Sequence, residues 1–250
     1  MINYEAEKKE RIEFIRQTLK EAGADGIVYG NSGGKDSALV GILCKAACEN
    51  TLGLIMPCGS RRNYEQDLSD AKEVAERYGI ETRIVDLTYV KNTIIDAVFD
   101  GGKAGGAAVI NIAPRLRMTA LYSVAASENR LVAGTGNRSE AYMGYFTKWG
   151  DGAYDFNPIA DLTVTEIYEF LRYLKAPECV IKKAPSAGLF DGQTDEGEMG
   201  IPYSRIDNYL LYGKASGEDL KLIQSYHQRS EHKRNLPKNF FKSFDNGKPW

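Results

Sequence analysis

Four short apolar runs, separated by stretches of helical periodicity, set the limits on how this chain folds. The runs are GIVYG at 26–30, TLGLIM at 51–56, ETRIVDL at 81–87 and RLVAG at 130–134. None alternates cleanly between apolar and polar residues, the pattern of strands covered on both faces. Helical segments are expected at 5–22, with Ile12, Ile15 and Leu19 on one face, then at 36–48, 64–79 and roughly 114–128. Within 64–79, Leu68, Ala71, Ala75 and Tyr78 fall in register. Strands alternating with helices predict a parallel sheet, right-handed crossovers and ligands at the carboxyl ends of the strands. The expected fold class is α/β: a Rossmann-like parallel sheet with helices on both faces. With no internal repeat and no boundary visible, residues 1–250 are expected to form a single domain.

Two other segments punctuate this order. FDGGKAGGAA at 99–108 cannot pack and is expected to be a loop, either a lid or a linker. Residues 184–203 are loop-like as well, rich in Gly, Pro and acids. Between them, Thr163-Val164-Thr165-Glu166 is a capping box opening a helix that should bury Ile167, Phe170, Leu171 and Leu174. Two short helices are expected after 203, and a basic, aromatic tail closes the chain. The formal net charge of −2 offers nothing to a polyanion, so nucleic acid is not the expected partner. The N-terminus carries acids and no apolar run, and no stretch reaches membrane-spanning length, so a cytoplasmic protein is expected. Cys44, Cys48, Cys58 and Cys179 form no CxxC pair, and His227 and His232 lie far from them. Reduced thiols fit that spacing better than a tetrahedral zinc site.

The stretch with chemistry in it is Gly30-Asn31-Ser32-Gly33-Gly34-Lys35-Asp36-Ser37, placed between the first strand and the helix after it. A strand, a glycine turn and a helix N-terminus form a phosphate cradle. Walker A requires a glycine where Tyr29 stands and a hydroxyl residue where Asp36 stands. The dinucleotide fingerprint fails at Ser32. What remains resembles the SGGxDS loop of the N-type ATP pyrophosphatases. Gly33 and Gly34 let backbone N–H groups approach phosphate oxygens, and Ser32 and Ser37 add hydroxyl donors. A carboxylate at Asp36 would repel phosphate unless a cation sat between them, which implies Mg²⁺ with ATP as co-substrate.

Further along come NIAPRLRM at 111–118, GTGNRSEAYMGYFTKWGDGAYDFNPIAD at 134–161, PSAGLF at 185–190, TDEGEMGI at 194–201 and EHKRNLP at 231–237. In this order they resemble the ammonia-dependent NAD synthetase family. The resemblance implies an adenine-nucleotide α-hydrolase-like fold, a homodimer, and a second substrate, nicotinic acid adenine dinucleotide (deamido-NAD). It implies that residues Gly30 to Ser37, with Thr135 and Ser186, hold ATP, and that Asp36 and Glu140 are the Mg²⁺ ligands. Arg115, Tyr145, Lys148, Asp155, His232 and Lys233 fall at deamido-NAD positions, Tyr145 as an aromatic that stacks on the pyridine ring. Lys148 is expected to steady the carboxylate and Asp151 to accept a proton from ammonium. The chain has no room for an appended glutaminase, so the nitrogen is expected as free ammonia or from a separate ammonia-supplying protein.

One position departs from the family. Val164 stands where a lysine normally begins a helix and reaches the ATP phosphates. Lys35, at the variable position of SGGxDS, is the candidate replacement. Two rival readings are a tRNA-modifying ATP pyrophosphatase, to which the charge and cysteine pattern are unfavourable, and a non-catalytic adenine-nucleotide-binding protein, which Val164 keeps open.

Overall fold

In the computed structural model of this chain, the described residues are 2–60, 64–99, 106–186 and 194–240. Strands β1 (Gly26–Gly30), β2 (Thr51–Ile55), β3 (Glu81–Ile84) and β4 (Arg130–Ala133) form one parallel sheet in the order β3-β2-β1-β4. Central strand β1 has Ile27 beside Thr51 on one side and Leu131 on the other. Helix α1 (Tyr4–Ala22) starts where the Asn3 side chain accepts the Glu5 and Ala6 N–H groups, and ends at Gly23 in the left-handed region. Ile15 and Leu19 are its buried residues.

Helices α1, α2 (Lys35–Ala47), α3 (Gln66–Tyr78) and α8 (Val164–Tyr173) enclose one apolar core with β1. Leu39, Leu43, Ile167 and Phe170 are wholly buried there, beside Ile27 and Tyr29. The opposite face of the sheet packs Val28, Leu52 and Leu54 against Leu121 and Ala125 of α6 (Ile112–Ser127). A third apolar cluster lies off the sheet. It joins Met143 of α7 (Arg138–Met143) and Val164 to Ile206 of α11 (Tyr203–Tyr212) and Ile223 of α12 (Gly217–Arg229).

The strands and long helices lie where the apolar runs and periodicity place them, and the Thr163–Glu166 capping box is formed in both directions. Three expectations change. β3 is not covered on both faces: it is the sheet edge, and Ile84 is 51% exposed. A helix α4 (Thr88–Phe99), not expected from the sequence, fills the region before the glycine-rich segment. Within that segment residues 100–105 lie outside the described residues, while α5 (Gly106–Ile110) is helical rather than loop. Likewise, α10 (Asp195–Met199) is a short capped helix inside the 184–203 segment, after α9 (Glu178–Ile181).

The chain runs from β1 outward through β2 to β3, and then returns to place β4 on the other side of β1. Strand order therefore reverses between β1 and β4. In an open parallel sheet, the crevice beyond the carboxyl ends of two such strands is where a ligand binds.

Candidate active site

That crevice holds a cavity of about 410 Å³. One wall is the loop after β1. The backbone turns at Gly33 with φ +68°, and a Cβ there would lie 2.3 Å from the Asp67 carbonyl oxygen. Glycine is thus required both by conformation and by the closeness of α3. Gly34 caps α2 without a side-chain hydrogen bond, so the first N–H groups of the helix remain available at the cavity wall. Asn31, 1% exposed, donates from Nδ2 to the Ala71 carbonyl at 3.0 Å and anchors the turn to α3. Ser37 Oγ donates to the Gly34 carbonyl at 3.0 Å and lies 3.1 Å from Ser32 Oγ.

At the start of α2, Lys35, Asp36 and Glu140 meet. Lys35 Nζ is 2.7 Å from Asp36 Oδ2 and 3.9 Å from Glu140 Oε1. Its ammonium also stands 5.6 Å from the centre of the Tyr203 ring. Burial alone would pull the lysine pKa down, but the carboxylates of Asp36 and Glu140 overcome this and leave it raised. Burial and the negative charge of Asp36 push Glu140 well above the usual carboxylate range. Asn137, wholly buried, ties the two acids together. Its Nδ2 donates to Asp36 Oδ1 at 3.0 Å and its backbone N–H to Glu140 Oε2 at 3.1 Å, while its Oδ1 accepts the Glu140 N–H.

Lys183 closes the same end. Its Nζ donates to the Gly33 carbonyl at 3.0 Å and pairs with Asp67 at 2.8 Å and Asp70 at 2.6 Å. Elsewhere in the lining, Tyr145 donates its hydroxyl to Glu198. Lys233 Nζ reaches the carbonyls of Gly144 at 2.8 Å and Phe146 at 2.7 Å. Asp151 accepts the Thr147 N–H at 3.0 Å. Burial raises its pKa and that hydrogen bond opposes the rise. The side chain keeps contact with water through the cavity, which moderates the effect. Arg117 also lines the cavity, with Nε 3.1 Å from the Met56 carbonyl, and burial lowers its pKa.

The structure therefore brings Gly30, Asn31, Ser32, Gly34, Lys35, Asp36, Ser37, Thr135, Glu140, Tyr145, Asp151, Ser186 and Lys233 into the lining of one cavity. Six residues named from sequence stand elsewhere. Gly33 shapes the turn from behind. Val164 is 3% exposed in the third apolar cluster, where its N–H is 3.3 Å from Ser139 Oγ. Asp155 accepts the Val132 N–H and the Tyr122 hydroxyl, continuing the edge of β4. Arg115 is exposed, its Nε 3.3 Å from the Lys148 carbonyl, and Lys148 Nζ donates to the His232 carbonyl at 2.7 Å. None of Val164, Asp155, Arg115, Lys148 and His232 lines the cavity.

Sequence reasoning passed over Asn137, Lys183 and Arg117. Each lies in or beside a stretch already singled out: Asn137 in GTGNRSE, Lys183 just before PSAGLF, and Arg117 two positions after Arg115. Helix positions two apart do not share a face, so of the two arginines of α6 only Arg117 lines the cavity.

A phosphate-cradling loop at the switch point of a parallel α/β sheet, with two acids at the helix start, defines a class of nucleotide-using enzymes. Comparison with known proteins narrows it. The sequence profile of the NAD synthase family matches residues 7–237. An NH(3)-dependent NAD(+) synthetase from Carboxydothermus hydrogenoformans is 45% identical over 239 residues, covering 94% of this chain and 97% of that protein. Among solved structures, the NMN synthetase of Francisella tularensis superposes with a TM-score of 0.90 at 35% identity, covering 96% of this chain and 99% of the other. The NH3-dependent NAD synthetase of Campylobacter jejuni gives 0.78 at 30% identity, covering 96% and 100%. The chain belongs to the NAD synthase family, enzymes that form a C–N bond.

Proposed function

We propose that the chain amidates deamido-NAD with ammonia in two steps at the expense of ATP. The carrying observation is that the SGGKDS loop and the acid pair share the lining of a single cavity with Tyr145, Asp151 and Lys233. In the first step a nicotinate oxygen attacks the α-phosphorus of ATP and pyrophosphate leaves. In the second, ammonia attacks the activated carbonyl carbon and AMP departs with that oxygen. The N–H groups at the start of α2 and the hydroxyls of Ser32 and Ser37 hold phosphate oxygens. Lys183 and Lys35 bring positive charge to the same end. Asp151 takes the proton that ammonium must lose before it can attack.

Asp36 and Glu140 fit a divalent cation, since each has one oxygen engaged by Asn137 and the other turned to a single cation, the Lys35 ammonium. Magnesium held there supplies positive charge against the phosphates. Pyrophosphate release that requires ATP, Mg²⁺ and deamido-NAD, and that turns over to amide and AMP only when ammonia is added, tests the reading. Release without the acid, or none with it, would refute it.

A second reading concerns the acid. The superposition on an NMN synthetase, at 0.90 against 0.78 for an NAD synthetase, favours testing the mononucleotide acid as an alternative substrate. Comparing kcat/KM for the two acids decides between them.

We further propose a homodimer packed through α4. Helix α4 has no buried residue although its sequence, TYVKNTIIDAVF, is largely apolar. Tyr89 is 82% and Val98 65% exposed. A 12-residue helix is marginal alone in water, so a second copy covering this face accounts for both its composition and its existence. Val98→Asp should yield a monomer by sedimentation, and an unchanged dimer would refute the assignment. No helix among the described residues is long and apolar enough to cross a membrane, and a cytoplasmic location fits this reading. The segments 99–107 and 184–199 are proposed to become protected when both substrates bind. Residues 100–105 and 187–193 of these lie outside the described residues.

A further inference from the structure

We propose that Lys35 is an internal counter-cation for the Asp36–Glu140 pair, and that a divalent cation enters this site only by displacing the Lys35 ammonium. The inference rests on the reading of these two acids as the metal ligands. Its ground is how the four carboxylate oxygens are used. Asp36 Oδ1 and Glu140 Oε2 are both held by Asn137, at 3.0 Å and 3.1 Å. The remaining oxygens, Asp36 Oδ2 and Glu140 Oε1, are the two nearest Lys35 Nζ, at 2.7 Å and 3.9 Å. A metal needs the same two oxygens. One ammonium and one metal ion cannot share them.

The lysine is built into this place. Its side chain is 5% exposed, follows directly on the Gly34 cap, and lies over the buried ring of Tyr203. An acid pair without a cation would suffer repulsion at low dielectric. Lys35 relieves that repulsion in the substrate-free protein. It also makes the metal site conditional. Magnesium is ordinarily held by one or two carboxylates together with substrate phosphates. Here the phosphates have a second task, because they offer the evicted ammonium a new partner in the same cavity. The metal and the nucleotide would therefore arrive together.

The test is Mn²⁺ binding to substrate-free protein, followed by electron paramagnetic resonance, in wild type, Lys35→Met and Lys35→Gln. Both variants should bind Mn²⁺ at least tenfold more tightly than wild type. Mg²⁺ alone should raise the melting temperature of either variant by several degrees and leave that of the wild type nearly unchanged. Equal or weaker Mn²⁺ binding in a folded variant overturns the proposal, as does failure of all three proteins to bind. Should both variants fail to fold, the wild type decides through amine acetylation of Lys35, compared without Mn²⁺ and at a Mn²⁺ concentration at which electron paramagnetic resonance shows the site filled. A rise in modification with added Mn²⁺ supports displacement, and a constant level overturns it. None of these measurements reads amidation. A protein that bound Mn²⁺ as described and amidated neither acid would refute the proposed function alone.

Discussion

At the phosphate end of the cavity, polar side chains are buried and bonded to one another; around Lys233, in the lining and just beside it, lysines reach main-chain carbonyls. Asn31, Asn137, Lys183 and Asp70 are tied between β1, α2, α3 and α7. Lys148 and Lys233 instead join the 144–148 segment to the chain around 232. The first arrangement is costly to break, because each partner left behind would be buried and unpaired. The second is cheap, because a freed carbonyl or ammonium meets water. On the proposed assignment the nucleotide meets a framework already formed, in which only the Lys35 ammonium has to move, whereas the acid must displace contacts in order to bind.

Four changes probe this contrast. The largest effect belongs to the acid pair. Asp36→Asn or Glu140→Gln should lower AMP transfer at least 10³-fold, about 4 kcal/mol of transition-state stabilisation. Circular dichroism should show the fold intact. Turnover near wild type at high Mg²⁺ would show that the pair does not serve the phosphates.

Next comes the clamp on the loop. Lys183→Ala leaves Asp67 and Asp70 facing each other without the shared ammonium, and Asp70 is 3% exposed. A loss of about 3 kcal/mol in urea unfolding is expected, together with weaker ATP binding. A loss below 1 kcal/mol would mean the phosphate end is not held rigid in this way.

How far the sequence carried these assignments divides along the same line. The sheet, its helices and the loop were legible, since apolar periodicity and the SGGKDS spacing are local signals. Asp36 and Glu140 could be paired because both fall in stretches characteristic of the family. Asn137 and Lys183 were not legible, since their roles depend on contacts between elements 101 and 113 residues apart. Val164 marks the opposite limit. It opens α8 where the family normally has a lysine, and the third apolar cluster, drawn from five helices, takes in its side chain. α4 escaped notice because it offers no buried face to mark it: none of its residues is fully buried among the described residues.

A smaller effect belongs to Lys233. Lys233→Ala removes two bonds to carbonyls that water can replace, so stability should change by less than about 1 kcal/mol. The KM for the acid should rise about tenfold while the KM for ATP stays put, roughly 1.4 kcal/mol in binding. A large loss of stability would erase the distinction between the two arrangements.

The smallest effect lies beneath the loop, where polar pairing is incomplete. Tyr29, on β1, is wholly buried, and its hydroxyl has no hydrogen-bond partner among the described residues. Gly41 and Gly53 make room for it. A Cβ at either would lie within about 3 Å of that oxygen, at 2.3 Å and 3.1 Å respectively. Burial drives the phenol pKa upward, so the group stays neutral and keeps its proton. An unpaired buried hydroxyl costs roughly 1–3 kcal/mol relative to water. Tyr29→Phe removes the oxygen and keeps the ring, leaving a gap smaller than a methyl group between the two glycines. The expected balance is a gain of about 1 kcal/mol in urea unfolding with kcat unchanged, since the ring still supports the strand that leads into the loop. A loss of stability would show that the hydroxyl finds a partner in solution, and that polar pairing is complete beneath the phosphate end as well as around it.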